Sequence, residues 1–504
     1  MPGRRHKKQN GNPKQLTLWS AREETPPLRT ERVPQFWLGC RVHLLGIGGI
    51  GMSGIARLLH GQGALVRGCD AGPSAITRAL QARGIEVTIG HSPAHLEEDT
   101  DVVIASAAVR NTNPELRAAQ RRGIEVMKYA QVLGRMMADR DGVAVSGSHG
   151  KTTTTSMIAY AMSLAGKDPS MVIGGLVPQL GGNSHSGSEG PFVVEACEYD
   201  RSFLNLSPRA GVITNVERDH MDYYTGLDDL VEAFGKFAGR VRGEGLVAVN
   251  GDDPNALRAA EQARATVETF GLGRDCTWRI GEWSRENGVT RFRLYYKRRV
   301  RGRYELLVPG LYNIRNAVAC LAVCAHFGIS KAHAAEALAT FRGVRRRFDR
   351  LGEVAGVMVL DDYGHHPTEV QVTLDAVRKE FPRRRLVCVF QPHQCSRTRL
   401  FLNEFAQSLT SADRVIVPDI YSVRDTAADR RSVHARDLVK ELRANGVNAA
   451  YHAAYQNVVD ELLNEVQQGD LVMTMGAGPV DDVGRKLLSA LEKRDTGREL
   501  VSQS

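Results

Sequence analysis

Two glycine-rich stretches of the sequence could each bind a phosphorylated ligand. The first, GIGGIG at residues 46–51, has the pattern G-x-G-x-x-G and lies between an apolar run and a helical pattern. The second, GSHGKT at residues 147–152, also lies between an apolar run and a helical pattern. Glycines permit a tight turn, so that backbone N–H groups and the positive end of the following helix can face phosphate oxygens. The sequence therefore predicts two phosphate sites on one chain.

The second stretch has the residue types of an ATP site. Lys151 can reach the β- and γ-phosphates, and the Thr152 hydroxyl can bind Mg²⁺. The spacing is shorter than G-x-x-x-x-G-K-[ST], so the loop is a variant of the common phosphate-binding loop. An ordinary helix start is the alternative. The strand pattern before the loop and the helical pattern after it favour a nucleotide.

Acidic residues and a histidine follow two further predicted strands. Glu195 and Glu198 come after FVV, and Glu217, Asp219 and His220 come after GVI. Ligands of open α/β sheets collect at the carboxyl ends of strands, where these residues fall. Any one of them could be a solvated turn residue or a helix cap. Their density behind a phosphate loop favours a Mg²⁺–ATP site.

The ligand of the first stretch is NAD or a nucleotide-activated substrate. Asp70 lies 22 residues beyond Gly48 and ends the second predicted strand, which fits a ribose partner or a helix cap. A hydride transfer that consumes ATP is rare. A nucleotide-activated substrate in the first loop and ATP in the second is the simpler hypothesis, with an NAD-dependent dehydrogenase as an alternative.

Short β-branched runs alternate with helical patterns and predict βαβ units with parallel sheets. We expect an α/β protein with three domains: a Rossmann-like N-terminal domain, a central P-loop ATPase-type domain with a mixed sheet, and a C-terminal Rossmann-like domain. Residues 266–308 alternate like antiparallel strands within the central domain. The predicted order is a basic, disordered tail at 1–38, followed by domains at 39–141, 142–342 and 343–504.

The composition is that of a globular protein, with 42% hydrophobic and 24% charged residues in 504. The sequence contains no run of 18 apolar residues, so it does not predict a membrane span. The net charge is +9, but residues 1–38 hold eight Lys/Arg against three Glu, which leaves +4 for the other 466 residues. Nucleic-acid binding is therefore poorly supported. The eight cysteines include no C-x-x-C pair, which predicts free thiols in a reducing cytoplasm.

Six motifs, in this order, resemble those of the Mur ligases. They are GIGGIGMSGIA (46–56), GSHGKTTT (147–154), TNVERDHMD (214–222), DDYGHHPTEV (361–370), FQPHQCSRTR (390–399) and TMGAG (474–478). The resemblance covers about residues 40–485. It implies that the first loop binds the UDP part of a sugar nucleotide, that the central domain binds Mg²⁺ and ATP, and that the C-terminal domain brings the amino acid.

The resemblance also implies a reaction. Within the family, the form of the first loop is most similar to the branch that joins L-alanine to the lactyl carboxylate of UDP-N-acetylmuramate. ATP supplies the energy through an acyl phosphate, in peptidoglycan precursor synthesis. A ligase that loads a preformed peptide onto the same sugar nucleotide, in cell-wall recycling, is the alternative. A regulator that binds nucleotide without catalysis is another. The sequence leaves a monomer and a homodimer open.

The resemblance and the loop chemistry together assign residues to each ligand. The expected UDP-sugar-binding residues are Gly46, Gly48, Gly49, Gly51, Met52, Ser53, Asp70 and Ser106. The expected ATP-binding residues are Gly147, Ser148, His149, Gly150, Lys151, Thr152, Thr153, Asn313, Asn316 and Arg347. The expected amino-acid-binding residues are Tyr363, His365, His393 and Arg397. The expected Mg²⁺ ligands are Thr152 and Glu195 for one ion and His220 for a second. The expected catalytic residues are Lys151, His220, His365 and Arg397.

Two positions depart from the family pattern, besides the stretch CEYD (197–200), which stands where the family has a more acidic, serine-containing run. Gln394 follows Pro-His where the family commonly has Arg, and Tyr312 precedes Asn313 where the family often has His. Both departures bear on contacts to the amino acid and to adenine rather than on phosphate or metal groups.

Overall fold

The computed structural model describes residues 37–423 and 425–502, with side chains through 495. The described residues form three sheets, and each sheet lies within one of the predicted domain ranges. The predicted α/β fold class with three units is therefore correct, whereas the boundaries at 141/142 and 342/343 stay predictions. The predicted basic tail lies, except for residues 37 and 38, outside the described residues.

The N-terminal sheet has five parallel strands in the order β3-β2-β1-β4-β5. The strands are β1 (Arg41–Leu45), β2 (Leu65–Asp70), β3 (Glu86–Ile89), β4 (Val102–Ala105) and β5 (Glu125–Lys128). The helices are α1 (Ile50–Gly61), α2 (Ala75–Gln81), α3 (Pro114–Arg121) and α4 (Tyr129–Met137), with a 3₁₀ turn at Pro93–His95. Alternate β1 residues face opposite sides: Val42 and Leu44 join the core shared with α1, and Leu45 packs on the side of α3.

The central sheet has ten strands in the order β15-β14-β13-β12-β11-β10-β6-β9-β7-β8. The strands are β6 (Gly142–Ser146), β7 (Ser170–Val177), β8 (Gly182–His185), β9 (Phe192–Glu195), β10 (Ala210–Ile213), β11 (Leu246–Asn250), β12 (Thr266–Gly271), β13 (Trp278–Glu286), β14 (Val289–Tyr296) and β15 (Arg299–Leu306). The helices are α5 (Lys151–Leu164), α6 (Leu227–Ala238), α7 (Pro254–Ala260), α8 (Leu311–His326) and α9 (Lys331–Thr340), with 3₁₀ segments at Pro178–Leu180 and Tyr199–Asn205.

The predicted antiparallel stretch at 266–308 is correct for β13–β15 and wrong for β12. β13, β14 and β15 pair antiparallel in a meander. β12 pairs parallel to β11, because α7 carries the chain back to the same end of the sheet before β12 begins.

The C-terminal sheet has six strands in the order β16-β17-β21-β18-β19-β20, parallel except for β16 at one edge. The strands are β16 (Asp349–Val354), β17 (Val357–Asp362), β18 (Leu386–Phe390), β19 (Arg414–Val417), β20 (Ala449–Tyr451) and β21 (Leu471–Met475). The helices are α10 (Pro367–Glu380), α11 (Cys395–Leu400), α12 (Leu402–Ser408), α13 (Ala427–Ser432), α14 (Ala435–Ala444), α15 (Tyr455–Glu465) and α16 (Asp481–Ser502). None of the helices in the described part of the chain is long and apolar enough to cross a membrane.

Direct contacts hold the three units around one cleft. The Asn183 amide donates to the Ile50 carbonyl of α1 at 2.7 Å, so the first glycine loop lies against the edge of the central sheet. On the other side of the central sheet, Thr368 donates to Glu217 at 2.7 Å and the His366 ring contacts the Arg218 carbonyl at 3.0 Å. The carboxyl ends of the parallel strands therefore face one another across the cleft.

Candidate functional site

The second glycine loop connects β6 to α5 in a conformation that two glycines make possible. Gly147 and Gly150 have φ values of +136° and +82°, which side chains rarely adopt. A Cβ on Gly147 would lie 1.8 Å from Thr214 Oγ1, and one on Gly150 would lie 2.8 Å from Asn316 Oδ1. The loop thus passes close to two neighbours and delivers the chain to the N-terminus of α5 at Lys151.

Lys151 lies back over the loop in a buried ion pair. Its ammonium group donates to Glu198 Oε1 at 2.9 Å and to the carbonyls of Gly147 and Ser148 at 2.5 and 3.1 Å. Burial disfavours the charged form, but the Glu198 carboxylate outweighs it and raises the pKa of Lys151 above its ordinary value. Lys151 is therefore a fixed positive charge beside the loop.

A chain of contacts leads from Lys151 to the C-terminal domain. Glu198 Oε1 lies 3.4 Å from His220 Nε2, and the neighbouring Asp219 accepts a 2.7 Å bond from Arg397 Nη2. His220 has φ +55°, a left-handed conformation that turns its ring toward Glu198. Four charged or titratable groups thus connect the phosphate loop to Arg397 on α11.

The predicted metal ligands fit a divalent cation. The Thr152 hydroxyl lies 3.2 Å from Glu195 Oε2, which gives two hard oxygen donors of the kind Mg²⁺ prefers. Burial disfavours the charged carboxylate of Glu195 and so raises its pKa. A bound cation would offset this penalty. Glu198 Oε2 and His220 Nδ1 are buried and have no hydrogen-bond partner among the described residues. One possible metal-ligating atom from each of Glu198, Asp219 and His220 lies within 4.8 Å of the other two.

A cavity of about 450 Å³ opens beside the loop, between the central and C-terminal domains. Seven of the predicted ATP-binding residues line it: His149, Gly150, Thr152, Thr153, Asn313, Asn316 and Arg347. The other three, Gly147, Ser148 and Lys151, belong to the same loop outside that lining. A cavity of this size with charged and amide groups on one side suits a nucleotide.

His149 lies between two carboxylates on the wall of this cavity. Its Nδ1 is 3.2 Å from Glu369 Oε1, and its Nε2 is 3.5 Å from Glu217 Oε2. Burial opposes protonation, but the two carboxylates together raise the pKa of His149 to about 10. Glu217 in turn has its pKa lowered to about 2, because the bond to His149 outweighs burial. The three side chains form a charged unit that joins the loop to α10.

We expect His149→Gln to remove a stabilisation that depends on pH. The pKa of His149 is raised from about 6.5 in the unfolded chain, so its contribution is complete below that pH and is lost as the pH rises through about 10. The melting temperature of the variant should therefore fall furthest below wild type at pH 6, and the difference should close by pH 10. His60→Gln, at an exposed position of α1, is the control. A difference that stays constant from pH 6 to pH 10 would contradict the charged unit.

Three of the four predicted amino-acid-binding residues form one cluster at the ends of β17 and β18. The rings of His365 and His393 lie 5.5 Å apart, and Arg397 Nη1 donates to His393 Nδ1 at 2.8 Å. Tyr363, the fourth, lies next to His365 and under the Arg347 guanidinium, 4.9 Å from its ring centre. Tyr363 thus connects this cluster to the nucleotide cavity.

The hydrogen bonds of His365 define which ring nitrogen is free. Its Nδ1 lies 3.1 Å from the Tyr363 carbonyl, which can only accept, so Nδ1 carries the proton. Burial lowers the pKa of His365 to about 4, against the raising effect of Glu369. At neutral pH the ring is uncharged and its Nε2 can accept a hydrogen bond.

The first glycine loop is held by two of the residues predicted beside it. Gly48 N–H donates to Asp70 Oδ2 at 2.8 Å, and a Cβ on Gly48 would lie 2.9 Å from that oxygen. A Cβ on Gly46, which has φ +76°, would lie 3.3 Å from Ser106 Cβ. Asp70 therefore shapes the loop directly, which is a role beyond the ribose contact or helix cap expected from sequence.

Met52 and Ser53 are placed differently from the glycines. The Met52 side chain is buried in the domain core. Ser53 is fully buried, donates its hydroxyl to the Ile50 carbonyl at 3.0 Å and donates its N–H to the Gly49 carbonyl at 2.8 Å. In this arrangement Ser53 offers neither group to a ligand. Gly49 donates its N–H to the Gly46 carbonyl at 3.2 Å. Gly51 lies in the first turn of α1, which no side chain caps.

The structure adds site residues to which the sequence reasoning gave no role. Glu369 lines the cavity and contacts His149. Its carboxylate accepts a hydrogen bond from the backbone N–H of His365 at 3.0 Å. It lies in the DDYGHHPTEV motif four residues after His365, so helical spacing was an available signal. Asn250 and Asp253, at the end of β11, also line the cavity. The signal for these two was the same strand-end rule that identified Glu195.

The two departures from the family pattern occupy different environments. Gln394 is buried and donates its amide to the Val423 carbonyl at 3.2 Å, so it braces the loop before α11. Tyr312 lines the nucleotide cavity beside Thr373 of the C-terminal domain. The first departure therefore holds two loop segments together, and the second lies on the wall of the cavity.

Comparisons with known proteins match all three units to one family. Family models described as "Mur ligase family, catalytic domain", "Mur ligase middle domain" and "Mur ligase, glutamate ligase domain" match residues 41–141, 145–324 and 346–478. Among solved structures, the UDP-N-acetylmuramate–alanine ligase of Thermotoga maritima superposes with a TM-score of 0.78 at 27% identity, over 90% of this chain and 99% of that one.

Curated relatives extend the match to nearly their full length. The UDP-N-acetylmuramate–L-alanine ligase of Caldanaerobacter subterraneus subsp. tengcongensis is 38% identical over 90% of this chain and 98% of its own. That of Carboxydothermus hydrogenoformans is 40% identical over 89% of this chain and 96% of its own. With these relatives and the site described above, the chain belongs to the Mur ligase family.

Proposed function

We propose that this protein joins L-alanine to the lactyl carboxylate of UDP-N-acetylmuramate, with ATP converted to ADP and phosphate, in peptidoglycan precursor synthesis. The observation that carries the proposal is the chain of contacts from Lys151 through Glu198, His220 and Asp219 to Arg397. It connects the cation that would bind phosphate, Lys151, to the cation that would bind the alanine carboxylate, Arg397. Relatives at 38% and 40% identity bear the name of this activity.

The first step is attack of the lactyl carboxylate on the γ-phosphate. A carboxylate is a poor acyl donor, and the acyl phosphate formed with release of ADP makes its carbonyl reactive. Lys151 would leave the carbonyls of Gly147 and Ser148 for the phosphate oxygens, because a phosphate is the stronger acceptor. Arg347, on the cavity wall, adds a second positive charge for the transferred group.

The second step is attack of the L-alanine amine on the acyl phosphate. Arg397 would hold the alanine carboxylate through N–H groups not used by His393 and Asp219. His365 Nε2, uncharged at neutral pH, would accept a hydrogen bond from the amino group and orient it, and the ammonium proton would be lost to solvent before attack. The resulting tetrahedral intermediate expels phosphate and leaves the amide.

We propose that Thr152 and Glu195 hold one Mg²⁺ and that His220 holds a second, with Glu198 beside it. Mg²⁺ in such a position neutralises phosphate charge and polarises the phosphoryl group. The hydroxyl and carboxylate donors and the unpartnered Glu198 Oε2 support this assignment. Asp70 and Ser106, together with the glycines of the first loop, would bind the UDP part of the substrate.

The alternative within the family is a ligase that loads a preformed peptide. A murein peptide ligase from Psychrobacter arcticus has a TM-score of 0.70 at 24% identity, which demonstrates a common fold and nothing more specific. The curated relatives favour the alanine-adding reaction. NAD-dependent hydride transfer has no support from the family.

The test is phosphate release from Mg²⁺–ATP by the purified chain with UDP-N-acetylmuramate and single amino acids added in turn. We expect release only when the sugar nucleotide and L-alanine are both present. Release with a tripeptide but not with alanine would establish the peptide-loading alternative. Release under no combination, despite ATP binding, would overturn the catalytic proposal in favour of a nucleotide-binding regulator.

Three further assignments complete the proposal. We propose a cytoplasmic location, since ATP and a UDP-sugar are the substrates and all eight cysteines are free thiols. We propose domains at 39–141, 142–342 and 343–504. Monomer and homodimer are both compatible with a cleft built from one chain, and sedimentation would distinguish them.

A further inference from the structure

A buried polar cluster lies in the N-terminal domain, on the side of the sheet covered by α3. It gathers five side chains from four segments: His43 on β1, Cys69 on β2, His91 and His95 after β3, and Glu115 in α3. His43, Cys69 and Glu115 are buried, and His91 and His95 keep 27% and 23% of their side chains exposed. The reaction above uses none of them.

The other four side chains converge on the Glu115 carboxylate. Its Oε2 lies 2.7 Å from His43 Nε2 and 3.0 Å from Cys69 Sγ. Its Oε1 lies 3.4 Å from His91 Nδ1 and 3.3 Å from His95 Nδ1. Cys69 Sγ and His91 Nδ1 are themselves 3.2 Å apart. Thiol, imidazole and carboxylate groups are thus in mutual contact.

Hydrogen bonding alone is a poor explanation for this arrangement. The Ser92 N–H donates to Glu115 Oε1 at 3.0 Å, so five groups contact one carboxylate that offers about four acceptor positions. The spacing has a different explanation. In a tetrahedral zinc site with bonds of 2.0–2.3 Å, the ligand atoms lie about 3.3–3.7 Å apart. Four contacts, from Glu115 to Cys69, His91 and His95 and from Cys69 to His91, measure 3.0–3.4 Å and fall within a few tenths of an ångström of that range. One possible ligand atom from each of His43, Cys69 and Glu115 also lies within 4.8 Å of the other two.

We propose that Cys69, His91, His95 and Glu115 bind a divalent transition metal, with zinc as the ion that fits the donors, and that His43 holds the carboxylate in place. A thiolate and two imidazoles select zinc over Mg²⁺, whereas the hydroxyl and carboxylates near Lys151 select Mg²⁺. On binding, the Cys69 thiol loses its proton to solvent and its sulfur forms the metal bond. The partly exposed histidines give the ion a way in.

The site lies directly beneath the first glycine loop. The Cys69 carbonyl accepts the N–H groups of Gly46 and Ile47 at 2.9 and 3.0 Å. The next residue, Asp70, accepts the Gly48 N–H. An ion bound at Cys69 would fix the strand end that supports this loop, so its role is structural, in stabilising the N-terminal domain.

Cobalt titration of the metal-stripped full-length protein tests the proposal. With excess Mg²⁺ present to occupy hard-oxygen sites, we expect one Co²⁺ per chain, a cobalt–thiolate charge-transfer band and the visible absorption of tetrahedral cobalt. Zinc should displace the cobalt and raise the melting temperature. Cys69→Ser should abolish the charge-transfer band. Cys40→Ser, a partly buried cysteine of the same domain outside the cluster, should retain it.

A second variant covers the case in which Cys69→Ser does not fold. His95→Gln changes a partly exposed side chain and should weaken zinc binding by about 10-fold or more, the size of loss typical even of outer-shell partners. Absence of a thiolate band in the wild type, or a band that persists in Cys69→Ser, would overturn the proposal. Unchanged zinc affinity in His95→Gln would remove His95 from the ligand set. None of these measurements depends on ligase activity.

Discussion

Replacing Lys151 with glutamine should lower kcat by about 10³-fold. The lysine is the cation of the phosphate loop, and removing one preorganised charge from a phosphoryl-transfer site typically costs 10²–10⁵-fold. Its ammonium group already lies within 2.5–3.1 Å of the loop carbonyls, so little movement brings it to a phosphate. Phosphate release with saturating UDP-N-acetylmuramate, ATP and L-alanine measures the effect. Lys167→Gln, an exposed lysine just beyond α5, is the matched control.

The Lys151 variant also needs a control for folding. Glu198 is almost fully buried, and Lys151→Gln removes the lysine counterion and leaves the carboxylate beside the His220 ring. The single variant should therefore melt at a lower temperature than wild type, because a buried charge has lost its counterion. The double variant Lys151→Gln/Glu198→Gln should recover part of that stability without recovering activity. A single variant within ten-fold of wild-type kcat would contradict the assigned role.

The sequence was most informative where backbone geometry depends on residue type. Gly147 and Gly150 are required by positive φ and by close neighbours, so the glycine spacing predicted both loop and ligand class. The position of Glu195 at a strand end beside such a loop was enough to predict it as a metal ligand. These inferences rest on local constraints, which a single sequence contains.

Contacts between distant segments were beyond the sequence alone. Asp219 and Arg397 are 178 residues apart, and His43 and Glu115 are 72 apart, so no local pattern pairs them. Met52 stays a predicted ligand contact, and packing against neighbouring segments buries its side chain in the core. Tertiary packing determines these outcomes.

Arg397→Ala should lower kcat/KM for L-alanine by about 10²–10³-fold while the KM for ATP changes little. Truncating one member of a buried, hydrogen-bonded charge pair typically costs 2–5 kcal/mol, and Arg397 is 6% exposed with its Nη2 2.7 Å from Asp219. Arg399→Ala, an exposed arginine on the same helix, is the control and should leave both constants near wild type.

A substrate without the carboxylate separates binding by Arg397 from a merely structural role. If Arg397 grips the alanine carboxylate, wild type should strongly prefer L-alanine over L-alaninamide, and Arg397→Ala should lose most of that preference. Asp219→Asn keeps the shape of the Arg397 partner but removes its charge. It should raise the KM for L-alanine by about 10-fold, because the guanidinium is less firmly oriented. An Arg397→Ala variant that still discriminates between the two as wild type does would show that the carboxylate is held elsewhere. In that case the Asp219–Arg397 pair would serve only to join the central and C-terminal domains.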